Sequence, residues 1–186
     1  ALPLAHALLE GGIDAMEITL RHAAGLASIE AVAGKLPGMH VGAGTVTVAP
    51  QMQSVRDAGA VFALSPGLTP QLHQAASDLH MPFIPGVMTP SELMQAREWG
   101  YGTVKLFPAG QAGGLAMVQA LAGPLADMKL CPTGGVNAQN LTDFLRQPNV
   151  AMVGGSWLTP LSLIESGDWA AITRLAKQAT EMHTLL

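Results

Sequence analysis

Short apolar runs closed by Gly, Pro or Thr alternate along the chain with longer segments in which apolar residues recur at helical spacing. That alternation is the pattern of parallel strands joined by crossover helices. It predicts strands at about 15–20, 40–46, 61–66, 82–87, 103–108, 129–133 and 151–155. It predicts helices between and after them at about 28–36, 49–58, 70–79, 90–99, 114–121, 138–146 and 169–182, with one more at about 4–10 ahead of the first strand. Several helices open on Thr-Pro, Ala-Pro or Asn, residues that preset the first turn or accept its free N–H groups.

Seven strands and eight helices, at a repeat of roughly 20 to 25 residues, predict one α/β domain over 1–186, a compact (β/α)8 TIM barrel. The chain opens in a helix and without an initiator Met, so the same count predicts a first barrel strand missing from this sequence. An open doubly wound sheet needs no eighth strand and is the competing architecture. Against it, no Gly-x-Gly-x-x-Gly follows the first strand, and polar residues sit at the ends of many strands.

Composition narrows the partners. Of the 186 residues 49% are hydrophobic but only 4% aromatic, which calls for an aliphatic core of helices on parallel strands. Nine basic against 13 acidic residues give a net charge of -4, with neither a nucleic-acid footprint nor a polybasic membrane patch. No apolar stretch is long enough to span a bilayer, and the single cysteine, Cys131, fits a reducing compartment, so a cytoplasmic location is expected. The six histidines show no pair at metal-ligand spacing on a helix, and no metal site is expected.

One charge stands out. Lys105 lies inside the apolar run Thr103-Val104-Lys105-Leu106-Phe107-Pro108, in a chain with four lysines. Strand alternation puts Thr103, Lys105 and Phe107 on one face and Val104 and Leu106 on the other. Burial disfavours an ammonium relative to the neutral amine, and a neutral amine is a nucleophile toward carbonyls. A lysine near a strand end whose amine reaches solvent would satisfy the same local pattern.

In Ala15-Met16-Glu17-Ile18-Thr19-Leu20-Arg21 the apolar face belongs to the helices. Glu17 and Thr19 then point into the barrel, and Arg21 lies just past the strand's C-terminal end, where barrel enzymes place their sites. An inward carboxylate is costly unless paired, so Glu17 requires a cation such as Lys105 or Arg21. An acid beside an amine also suits proton shuttling. Val41-Gly42-Ala43-Gly44-Thr45 leaves room near the axis and ends in a hydroxyl, while Ser65-Pro66-Gly67 and Pro85-Gly86 read equally as tight turns. Pro132-Thr133-Gly134-Gly135 and Gly154-Gly155-Ser156 close the last two strands, the usual phosphate end of this fold. Cys131 has no histidine in a comparable motif to act as its base and reads as a small core residue.

Taken in order, Glu17-Ile18-Thr19-Leu20-Arg21, Gly42-Ala43-Gly44-Thr45-Val46, Ser65-Pro66-Gly67, Pro85-Gly86, Val104-Lys105-Leu106-Phe107-Pro108-Ala109, Pro132-Thr133-Gly134-Gly135 and Gly154-Gly155-Ser156-Trp157 resemble the 2-keto-3-deoxy-6-phosphogluconate aldolase family. The resemblance implies a class I aldolase of the Entner-Doudoroff pathway that works without metal or cofactor, as a homotrimeric (β/α)8 barrel. Its small phosphorylated keto-acid substrate would yield pyruvate and glyceraldehyde 3-phosphate, and 4-hydroxy-2-oxoglutarate would yield pyruvate and glyoxylate.

The same resemblance gives Lys105 the Schiff base, Glu17 the general acid/base role, and Arg21 with Thr45 the substrate carboxylate. It places Phe107 and Thr133 against the substrate and Gly134, Gly135, Gly155 and Ser156 around the phosphate. Related 6-phosphogalactonate enzymes lack the Thr-Leu-Arg, Pro-Thr-Gly-Gly and Gly-Gly-Ser-Trp forms, which favours the gluconate substrate. His22, where the family commonly has Thr, and Gly110, where an acidic residue is common, depart from the pattern. Two other functions remain open: a phosphosugar isomerase or epimerase using Glu17 as base, and a non-catalytic barrel that binds phosphometabolites.

Overall fold

A computed structural model describes residues 1–184. Its elements run α1 (Leu2–Glu10), β1 (Ala15–Thr19), α2 (Gly25–Lys35), β2 (His40–Gly44), α3 (Ala49–Asp57), β3 (Phe62–Leu64), α4 (Pro70–Asp78), β4 (Phe83–Ile84), β5 (Gly86–Val87), α5 (Pro90–Glu98), β6 (Thr103–Leu106), α6 (Gly114–Ala122), β7 (Lys129–Pro132), α7 (Leu141–Leu145), α8 (Leu161–Ser166) and α9 (Trp169–Thr184). Every strand pairing is parallel, and the spatial order follows the chain order as β1-β2-β3-β4 and β5-β6-β7. The architecture is of the TIM-barrel type. Among the described residues no helix is long and apolar enough to cross a membrane.

The run expected as a single strand at 82–87 is two strands that meet at Pro85. Proline has no N–H to give to the ladder, so pairing is interrupted there. The carbonyl of Pro85 still accepts from the Lys105 N–H at 2.8 Å, which links the two sheets across the break. The strand expected at 151–155 does not form as one. It is reduced to two bridges beside β7, Leu130 with Val150 and Thr133 with Gly154, because Gly154 and Gly155 disfavour extended pairing and β7 is its one neighbouring strand among the described residues. β1 pairs with β2 alone among the described residues, and its residues are only partly buried where β2 is almost wholly so.

The helices start where their signals stand. Thr69 Oγ1 accepts from the Leu72 N–H at α4, and Thr89 with Glu92 forms a reciprocal cap at α5. Gln51 Oε1 takes the N–H of Thr47 at 2.7 Å and closes the start of α3. The helix expected at 138–146 is shorter, since Asn137 Oδ1 accepts from Gln139 and Asn140 Oδ1 from Asn137, both at 2.9 Å. Those bonds offer residues 137–140 a turn in place of a helix. α8 was not anticipated.

Two apolar clusters fill the space between helices and strands. One gathers Ala5, Ile29, Val32, Val41, Met52, Val55 and Ile172 under α1 to α4 and α9, and the other Val104, Leu106, Val118, Leu130 and Phe144 under α5 to α7. Met16 and Ile18 pack on the first cluster, while Val104 and Leu106 belong to the second. The opposite faces of β1 and β6 are therefore left to the interior, as alternation predicted.

Candidate active site

Lys105 is 5% exposed, although it carries the only ammonium in its strand. Its Nζ donates to Glu17 Oε1 at 3.3 Å, across a sequence separation of 88 residues. The two residues come from β1 and β6, so only the folded strand array brings them together. Nζ also lies 5.1 Å from the centre of the Phe107 ring, whose π face favours a cation. The Glu17 side chain remains about a quarter exposed. The solvent-reaching alternative for Lys105 is thereby removed.

Arg21 stands exposed beyond the end of β1, and its Nε donates to Thr19 Oγ1 at 3.2 Å. Thr19 is two residues above Glu17 on the same strand face, so the guanidinium is tethered on the side where the carboxylate opens. Thr45 follows β2 with φ of 59°, a left-handed conformation that is unusual for a β-branched residue. The Leu20 N–H bonds to the Gly44 carbonyl at 2.8 Å, and that of Val46 to Leu64 at 3.1 Å, which fixes the backbone on both sides of Thr45. Strain held in place by its neighbours is characteristic of functional positions.

The two glycine turns lie side by side. The Gly154 N–H bonds to the Pro132 carbonyl at 2.9 Å, and Thr133 bridges to Gly154. Gly134 and Gly135 have φ of 88° and 91°, a conformation that glycine adopts without steric cost. The Gly110 N–H donates to the Gly134 carbonyl at 2.9 Å, so the departure at residue 110 abuts this turn. Gly155 and Ser156 follow the bridge and are exposed. Adjacent glycine backbones of this kind can converge N–H groups on an anion.

Thr133 Oγ1 donates to the carbonyl of Cys131 at 3.2 Å and lies 3.7 Å from its Sγ. Cys131 is the register partner of Lys105 on β7 and is buried. Burial pushes its thiol pKa up, the Thr133 hydroxyl and the Lys105 charge pull against that, and Glu17 adds to the rise. The thiol stays neutral and is a compact wall beside the amine. Its place next to Lys105 escaped the sequence, although strand alternation puts Cys131 on the same face as Thr133. Ser65, fully buried, bonds through Oγ to the Gly67 carbonyl and locks the turn after β3.

A barrel of parallel strands with a lysine amine and a carboxylate paired inside it defines a class of protein suited to imine chemistry on carbonyl compounds. The chain belongs to the KDPG and KHG aldolase family, whose model matches residues 1–175. It is 48% identical to a 2-dehydro-3-deoxy-phosphogluconate aldolase of Pseudoalteromonas atlantica over 96% of this chain and 83% of that protein. It is 45% identical to the KHG/KDPG aldolase of Escherichia coli K12, over 97% of this chain and 85% of the other. The KDPG aldolase of Legionella pneumophila, solved with pyruvate captured as a covalent carbinolamine, superposes with a TM-score of 0.93 at 44% identity. That match covers 96% of this chain and 86% of the solved one.

Proposed function

We propose that this chain is a class I aldehyde-lyase that cleaves 2-keto-3-deoxy-6-phosphogluconate to pyruvate and glyceraldehyde 3-phosphate through an imine on Lys105. The observation that carries the proposal is the pairing of buried Lys105 with Glu17 at 3.3 Å. The unprotonated amine attacks the C2 ketone, and Glu17 moves the protons by which the carbinolamine loses water to form an iminium ion. Glu17 then takes the proton of the C4 hydroxyl, directly or through water. The C3–C4 bond breaks, its electron pair forms the C2–C3 double bond of an enamine, and the aldehyde departs. Glu17 returns a proton to C3, and water adds to the resulting iminium to release pyruvate and the free amine.

The other residues have positioning roles in this scheme. Arg21 grips the substrate carboxylate with a planar two-point fork, and Thr45 supplies a hydroxyl to the same group. Phe107 and Thr133 line the carbon chain, while Gly134, Gly135, Gly155 and Ser156 receive the phosphate. 4-Hydroxy-2-oxoglutarate fits the same chemistry at its keto-acid end and would give pyruvate and glyoxylate. An isomerase or epimerase would use Glu17 but would leave a buried lysine without a task. The family resemblance also supports a homotrimer, a cytoplasmic location and a place in the Entner-Doudoroff pathway.

The test is a product assay with the phosphorylated keto-acid. Stoichiometric pyruvate and glyceraldehyde 3-phosphate are expected. An isomerised or epimerised sugar acid with no pyruvate would overturn the proposal, and phosphometabolite binding without turnover would favour the non-catalytic barrel.

A further inference from the structure

β2 presents two glycines to the interior, and neither has the left-handed backbone that would by itself call for glycine. Space calls for them instead. A Cβ at Gly42 would fall 2.0 Å from the Phe62 ring, and one at Gly44 would fall 1.7 Å from Glu17 Oε1, 2.4 Å from its Cδ and 2.5 Å from its Cγ. The carboxylate of Glu17 therefore occupies the volume that any side chain on residue 44 would fill. Glu17 is in register with Gly42, not with Gly44. Its side chain leans one pleat toward the C-terminal end of the strands, lies over Gly44 and meets Lys105 Nζ from there.

We propose that Gly44 is a positioning residue: the absence of a side chain at this point is the seat from which Glu17 reaches Lys105. The proposal rests on the acid/base role given to Glu17 above and adds a residue that acts only through it. Glu17 is a flexible chain, so a methyl at residue 44 displaces the carboxylate more readily than it disturbs the backbone. Gly44→Ala is thus expected to fold and still form the Lys105 imine at equilibrium, but to lose proton transfer.

The readout is exchange of the C3 hydrogens of pyruvate for solvent deuterium, measured beside equilibrium borohydride capture of pyruvate. Gly44→Ala should slow exchange by roughly 10²-fold while capture persists. Glu17→Gln/Gly44→Ala should be no slower than Glu17→Gln alone, within about threefold, because the seat matters only when the carboxylate is there. Losses that multiply, or exchange unchanged in Gly44→Ala, overturn the proposal. A crystal structure of Gly44→Ala separates this claim from the catalytic one: the carboxylate should have left Lys105, and a carboxylate still hydrogen-bonded to Nζ refutes the seat whether or not the wild type makes an imine. If Gly44→Ala alone does not fold, Glu17→Ala/Gly44→Ala, freed of the overlap, must fold; its failure also refutes the proposal.

Discussion

β6 and the residue pair leading into it carry polar chemistry at both ends, handled in opposite ways. At the N-terminal end Tyr101 Oη and His73 Nδ1 lie 2.9 Å apart, His73 stacks on Trp99 with centroids 4.8 Å apart, and Phe83 meets the Tyr101 ring edge to face. There the Tyr101 hydroxyl and one ring nitrogen of His73 are paired with each other among stacked and edge-on rings. At the C-terminal end Lys105 meets a single carboxylate that is still partly open, flanked by glycine turns. One end is a hydrogen-bonded ring cluster and serves stability. The other keeps bonding capacity in reserve, and a reactive site requires that reserve.

Substitutions at the two ends should therefore separate function from stability. Lys105→Ala removes the proposed nucleophile and is expected to abolish turnover in a pyruvate-release assay. Glu17→Gln keeps the shape and a hydrogen bond but no longer carries protons, and should lower kcat by about 10²–10⁴-fold. Arg21→Lys keeps the charge and loses the two-point fork proposed for the substrate carboxylate, so KM for the keto-acid should rise about tenfold or more in steady-state kinetics, with a smaller change in kcat. Equal loss of kcat in all three would break the distinction drawn between chemistry and positioning.

The ring-cluster end predicts the smallest and purely structural effect. Burial pushes the Tyr101 phenol pKa up to about 12 from an ordinary 10.0. The folded chain then holds that proton more tightly than the unfolded chain. The stability it contributes is complete below about pH 10 and is lost as the pH rises through about 12. Tyr101→Phe should cost about 1 kcal/mol near neutrality, a few degrees in melting temperature, and leave turnover unchanged. The stability difference between wild type and variant should shrink as the pH rises from about 10 toward about 12. A turnover defect in Tyr101→Phe would show that the two ends of the strand are not independent.

Much of the active end was legible in the sequence because it breaks local rules. Lys105 is a charge in an apolar run and Glu17 an acid on an alternating strand, and period-two alternation gives each its face without any coordinates. What alternation cannot give is which faces meet, so the Lys105–Glu17 distance is a product of tertiary structure. The split at Pro85 was missed because an apolar run looks continuous when hydrogen-bond donors are not counted. The run at 151–155 has the apolarity of a strand but forms only isolated bridges, because apolarity does not report whether a strand has neighbours on both sides. The late start of the helix expected at 138–146 was hidden for another reason: Asn137 and Asn140 are helix-start residues whose side chains here fold back on the turn. Gly44 read as room near the axis, and only the geometry shows that the room belongs to Glu17.

The most direct measurement is mass mapping after borohydride reduction of the full chain with pyruvate. A reduced pyruvyl group on the peptide containing Lys105, absent in Lys105→Ala, is the expected result. A folded, unmodified Lys105, or a label on another lysine, would contradict the account.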